Sequence, residues 1–372
     1  MAGQASSTRR EAPSAARSDD NDLVRQAHRL VSDLFPRSPL IYWTDFMLSV
    51  SGAWLLTAVY FLAPAWSVLQ IAAFLVAGVL FYRAGTFMHE MVHMQRQELK
   101  WFKRTWNVLL GMPLLTPWIF YRNHIDHHNR MHFGTPRDGE YTPLAASPVR
   151  ETLKYLLQAP LLPIFAVLRF GVIAPLSHLH PRLREFVLTR LSAGATNPYY
   201  SKRFPKRDEG HLTIMEWLCF AWIAAIATLL VLGYITAMHL LMAYLLLGWT
   251  LTLNWVRNMA AHGYANDGQP LTHADQLRDS INITGQTWIT AWLFPIGLRY
   301  HALHHLLPGL PYHNMGEAHR RLSENLPADS VYHEANRESF FAAVAELWRG
   351  ACNTPPEQSA MEYWRRFGAG GS

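Results

Sequence analysis

The chain has 372 residues, of which 50% are hydrophobic and only 16% charged, with 33 Lys and Arg against 27 Asp and Glu. That charged share lies well below the roughly 25% of globular domains, so a mean hydropathy of -0.01 means very apolar stretches diluted by polar ones. Two cysteines, Cys219 and Cys352, exclude a disulfide scaffold; the +6 net charge is spread over loops without a nucleic-acid module, so no nucleic-acid partner is expected.

Residues 1 to about 35 carry Ser, Ala, Arg and Asp without periodicity or an apolar centre. They are no cleavable signal and read as a disordered cytosolic tail ending in a short helix. Four later stretches, about 46–65, 66–82, 217–235 and 237–256, are long and apolar enough to cross a hydrocarbon core of roughly 30 Å. They pair as two tight hairpins. The turns around 63–67 and 233–238 lack Lys and Arg, whereas the tail, residues 83–210 and the C-terminal region are rich in both, so the positive-inside rule puts all three in the cytosol. Three further apolar stretches, 106–121, 155–177 and 285–297, suit interfacial or re-entrant helices; the first two are rich in helix breakers, among them Pro113, Pro117, Pro160 and Pro163. The expected fold is all-α: an integral membrane domain over 36–330 with four transmembrane helices and a cytosolic helical cap, then a cytosolic C-terminal helix and tail over 331–372.

Nineteen residues are His, and nine of them fall into four boxes. His89 and His93 form an HxxxH; His124, His127 and His128 an HxxHH; Asn258 and His262 an NxxxH; His301, His304 and His305 a second HxxHH. On a helix each spacing puts the side chains on one face, and neutral imidazole is the commonest metal ligand. A random chain of this composition would contain an HxxHH roughly 0.05 times, so two are not an accident of abundance. His89 and His262 follow the second and fourth spans by six or seven residues, which brings the boxes to one depth, about 9 to 10 Å beyond the apolar core. Nine histidines exceed what one ion can use; two metals taking four or five imidazoles each would account for them. His89-Glu90-Met91-Val92-His93 also matches the zinc-protease HExxH, a reading that leaves both HxxHH boxes unexplained. A transporter or metal sensor would want its ionisable groups near the bilayer midplane instead.

In this order around two hydrophobic hairpins, the boxes resemble the membrane-bound fatty acid desaturase family, from about Tyr42 to Leu322. The surroundings HHNRMHFGTPRDGEY, RNMAAHGYANDG and GLRYHALHHLLPGLPYHNMGEAHRRL look like bacterial members. The resemblance implies two non-haem irons, held by the nine histidines with Asn258 beside one iron, that activate O2 and introduce a double bond into an acyl chain carried as a lipid or a CoA or ACP thioester. It implies an external electron donor such as ferredoxin, rubredoxin or cytochrome b5 with its reductase, since no HPGG haem segment is present. It also implies a bacterial inner membrane with both termini and the active site cytosolic. The alternative within the same superfamily is a hydroxylase or ketolase acting on an alkyl, sterol or carotenoid substrate.

Metal-bound imidazoles usually donate their other N–H to a carboxylate, for which Asp126, Asp138, Glu140, Asp267 and Asp279 lie near enough in sequence. Glu90 reads as a supporting or surface group. His132, His239, His313 and His319 read as structural or interfacial, Arg96, Lys100, Lys103 and Arg104 as topology or head-group cations, and Tyr42, Trp43, Trp66 and Tyr82 as interfacial anchors.

Overall fold

Ser38 and Ser67 open the first two long helices by accepting hydrogen bonds from Ile41 N and Gln70 N. These are α2 (Pro39–Leu62) and α3 (Val68–Val92), preceded by α1 (Ser14–Val31). The computed structural model describes residues 14–370, with side chains from 22 to 367; the part of the expected tail before residue 14 lies outside the described residues. The rest of that tail is folded more than expected: Ala27 and Val31 of α1 are buried against Ala318 and Leu322, and Arg321 pairs with Asp33 at 2.7 Å.

Next come α4 (Val149–Leu168), α5 (Glu209–Val231) and α6 (Ala237–Asn258). A π turn, Arg169–Ile173, and a short helix, Ala174–Ser177, extend α4. Among the described residues five helices are long and apolar enough to cross a membrane: α2, α3, the run Val149–Ser177, Lys206–Val231 and α6. Four overlap the expected spans. The fifth was expected to be broken by its prolines, yet Pro160 and Pro163 sit inside a continuous helix, where Tyr244 Oη donates to the Pro160 carbonyl at 3.0 Å. The chain on both sides of this run meets on the side of the histidines: Thr196 N donates to Gly139 O at 2.9 Å, and Gly194 N to Phe120 O at 2.7 Å.

The first hairpin is tight, as its sequence implied. Ala53, Ala73, Ala77 and Ala84 are buried in the core that α2 and α3 share, the small residues that let apolar helices approach in lipid. The second pair diverges from its turn: α5 leans on the segment Arg169–Ser177, while α6 packs on α3 and α4. Buried Glu216 on α5 holds Arg169 at 2.5 Å and Arg184 at 2.7 Å, which ties α5 away from α6.

The α3–α6 contact positions the site, because His89 ends one helix and His262 follows the other. Trp249 Nε1 donates to Leu75 O at 3.2 Å, and its indole lies where a Cβ on Gly78 would come within 2.1 Å. Past α6 the cap includes α7 (Thr287–Leu293) and α8 (His301–Leu306). A two-residue parallel ladder, Asn282–Ile283 with Asn336–Arg337, is the whole of the described sheet. The buried Asn282 side chain accepts from Leu303 N at 3.1 Å and so pins α8.

Replacing Gly78 with Val should push Trp249 away and cost about 1–3 kcal/mol, the usual penalty of overpacking. Thermal inactivation of the purified protein would read this, and adding Trp249→Ala should recover much of the loss.

Candidate metal centre

Four segments bring the nine histidines together. His89 sits in the last turn of α3 and His93 is its C-cap; His124 and His127 occupy one helical turn, His124–His127, with His128 capping it; His301, His304 and His305 lie on α8. Helical spacing does not apply to His262. α6 stops at Asn258, and His262 lies beyond it in an antiparallel bridge to Ser280, with Ile281 N donating to Ala261 O at 2.9 Å.

The imidazoles divide into two groups able to hold a metal ion, His89, His93, His124, His128 and His304 in one and His127, His262, His301 and His305 in the other; within each, the ligand nitrogens all lie within 4.8 Å of one another. In the first, His128 Nε2 is 2.9 Å from both His124 Nε2 and His304 Nε2. In the second, His262 Nε2 is 3.1 Å from His127 Nε2 and 2.9 Å from His301 Nε2. The groups touch where His128 stacks on His305, ring centroids 4.3 Å apart. Asn258 lines the small cavity that the two groups share with Tyr121, Glu140, Arg257 and Tyr264.

Carboxylates stand behind three of the rings. His124 Nδ1 meets Glu140 Oε1 at 2.8 Å, His127 Nδ1 meets Asp138 Oδ2 at 2.9 Å, and His262 Nδ1 lies 3.3 Å from Asp279 Oδ2. Tyr121 and Tyr141 in turn donate to Glu140 at 2.7 Å and to Asp279 at 3.0 Å; neither tyrosine was picked out from sequence, where nothing marks them but nearness to a box. Of the five acids considered, Asp126 is taken by Lys202, Tyr200 and His132, and Asp267 is an exposed loop residue.

The donor set fits a cation. Burial, reinforced by neighbouring rings, holds His124, His128, His301, His304 and His305 well below the usual imidazole range, and burial takes His93 down to about 3. Ligand rings must be neutral, and these are. His127 is the exception: burial opposes its charge, but Asp138 outweighs this and raises it. With Nδ1 of His127 and His262 each turned to a carboxylate, their Nε2 atoms face one another at 3.1 Å, where two neutral rings would offer both lone pairs to a cation. Both nitrogens of His89 and Nε2 of His93 are buried with no partner in the protein, which is costly for groups left without a bond.

Glu90, the HExxH glutamate, is buried rather than at the surface and accepts from the Tyr42 hydroxyl and from Tyr312 N. Those contacts employ it in packing α2 and α3 and leave the hydrolase reading without its base. Tyr42 and Tyr82, expected as interfacial anchors, are buried, the latter donating to Leu293 O at 3.0 Å, whereas Trp66 is exposed at its turn. His132, His239, His313 and His319 stay outside both groups: His239 caps α6 through Thr236, and His319 bonds Tyr332.

The fatty acid desaturase family model matches residues 64–336, and the chain is 37% identical over 338 residues to a ceramide hydroxylase of Caulobacter vibrioides, a match covering 90% of this chain and 95% of the relative. This chain belongs to the fatty acid desaturase family. No solved structure matches it. The family assignment agrees with the resemblance carried by the boxes and makes the chain an oxidoreductase-type enzyme of the desaturase and hydroxylase superfamily. The relative favours the hydroxylase alternative over the double-bond chemistry expected first.

Asp138 accepts from Gly134 N, Glu140 N and Tyr141 N as well as facing His127, so Asp138→Asn should weaken metal retention about 10–100-fold. Competition dialysis against a graded chelator measures this; unchanged retention would remove Asp138 from the support of the centre.

Proposed function

We propose that this protein is an O2-dependent hydroxylase of a long-chain lipid, with a ceramide-type amide as the substrate class. The observation that carries the reading is the pair of adjacent buried imidazole groups, five rings beside four, in a chain so extensively similar to a ceramide hydroxylase. His89, His93, His124, His128 and His304 would hold one iron and His127, His262, His301 and His305 the other, with Asn258 at the edge of the shared cavity. Such an iron pair supplies the O2 activation and C–H oxidation that no side chain provides.

The protein's own part is ligation, orientation and exclusion of water. Asp138, Glu140 and Asp279 fix which nitrogen of three rings faces inward. The apolar outer faces of α3 and α6 leave the acyl chain in the hydrocarbon while its reacting carbon meets the histidines at the helix ends. In the net reaction a C–H bond and O2 become C–OH and water; two electrons come one at a time from an external donor protein, and two protons come from the aqueous phase. Misplacing the carbon by about 1 Å would cost on the order of a hundredfold.

For topology we propose that α2, α3, α5 and α6 cross a bacterial inner membrane and that the run Val149–Ser177 lies along the interface without crossing, keeping the histidines and both termini cytosolic. The hydrogen bonds joining residues 139 and 120 to residues 194–196 support this. His180→Cys, in a background without Cys352 and with Cys219 buried, should be labelled by an impermeant maleimide only from the cytosolic side of oriented vesicles.

Two measurements test the chemistry. Under labelled O2 with reduced donor, the label should appear in the lipid product as a hydroxyl, whereas an unlabelled alkene would return the assignment to desaturation. His304→Ala should abolish turnover and lower the iron content from about two per chain, while the protein stays membrane-inserted; retained turnover would overturn the ligand assignment.

A further inference from the structure

One cation in the cavity has no counterpart in that account. Arg257, in the last turn of α6, is 6% exposed, and among the described residues no carboxylate lies within ion-pair distance of it. Its Nη2 donates to Asn254 Oδ1 at 2.9 Å, and it stands beside the Tyr82 hydroxyl, but Nε is buried without an acceptor. It lines the same cavity as His89, His127 and His301, and Glu140 across that space has its oxygens engaged by His124 and Tyr121. The free volume there is about 10 Å³, roughly one oxygen-sized group.

A guanidinium offers five N–H donors in a fixed fork and cannot shed its charge. Buried beside the histidines, it is poorly satisfied unless an oxygen reaches it, and a bare methylene chain drawn through the cavity would leave it worse off than water does. We infer that Arg257 binds the carbonyl oxygen of the lipid substrate and thereby sets the oxidised carbon within a few bonds of that carbonyl. The inference rests on the proposed lipid-oxidising function and deepens it. Arg257 is a specificity-determining residue, selecting lipids with an oxygen next to the reacting carbon and rejecting plain alkyl chains. Its place at the cytosolic end of α6 agrees: the tail of such a lipid runs down into the bilayer while its polar end stops at the helix terminus.

The test uses the full-length iron-loaded protein in lipid nanodiscs. The probes are a saturated long-chain N-acyl amino alcohol and an analogue with CH2 in place of the carbonyl. Binding is measured anaerobically, and the site of oxidation is mapped by tandem mass spectrometry. The wild type should bind the carbonyl probe at least about 100-fold better than the analogue, the discrimination expected of a site built to bond a substrate oxygen, and should oxidise it near the carbonyl. Arg257→Met should erase the preference and scatter the oxidised positions with iron content unchanged, and Arg257→Lys should restore part of both. Oxidation far from the carbonyl in the wild type, or equal binding of both probes, would overturn the inference; the wild-type measurements decide even if Arg257→Met fails to load iron. An alkene product near the carbonyl would defeat hydroxylation while leaving the role of Arg257 standing.

Discussion

Nine imidazoles kept out of water, seven of them pressed to within hydrogen-bond distance of another, form the constraint on which the rest of this molecule depends. Charged, they would repel, and nitrogens as close as those of His127 and His262, 3.1 Å apart, leave no room for many of them to be protonated together. Packing energy must therefore hold an arrangement that its own members oppose. Two helices anchored in the apolar layer provide one part of that hold. A hydrogen-bonded cap provides the other, with Asp138 gathering three backbone amides around the ring it faces. A metal turns this unfavourable assembly into a favourable one, since binding free energy is then available to the folded state alone.

The boxes were legible because imidazoles at helical spacing are rare enough to stand out, and their grouping into sets of four and five followed from counting ligands. Other features were less so. His262 keeps the i+4 interval from Asn258 but lies beyond the helix end, because tertiary pairing with Ser280 replaces the helical turn. Of the acids near boxes, sequence could not separate Asp138, Glu140 and Asp279 from Asp126 and Asp267, since facing a ring across a loop depends on the loop's path. The N-terminal segment reads as a tail because its polar first twenty residues hide a short apolar stripe, Leu23, Val24, Ala27, Leu30 and Val31, which docks α1 on the layer behind α8. Arg257 was hidden among cations that topology alone explains; the signal that could have found it is a basic residue in the last turn of a span with no acid three or four positions away.

The run Val149–Ser177 shows why length and hydropathy determine less than they suggest. Its prolines and π turn read as breaks in a sequence, but neighbouring helices can hold the backbone around them, as Tyr244 does by donating to the Pro160 carbonyl. What decides its path is charge. Arg169, Arg184 and Glu216 form a buried cluster in which each guanidinium meets the same carboxylate, and ions withdrawn from water persist in apolar surroundings only when mutually paired. The cluster draws this segment onto α5 and opens the gap between α5 and α6 into which α4 fits.

Accuracy at the centre then follows from a division of labour. α3 and α6 are set by contacts that tolerate little change, a glycine under an indole and small residues along the first hairpin, so they place His89 and the approach to His262 as rigid posts. The remaining ligands sit on single helical turns whose own hydrogen bonds are too few to orient them. They are oriented from outside, by Asp138 and Glu140 for the second box and by Asn282 and the two-residue ladder for the last. Short turns held by external bonds can adjust by fractions of an ångström while long helices cannot, so a site built of both can fix the position of a metal pair relative to the bilayer and still tune individual rings to it. On the proposed function, a lipid chain delivered along the same helices would arrive in a frame already registered to the metals, with Arg257 buried beside them to read that register.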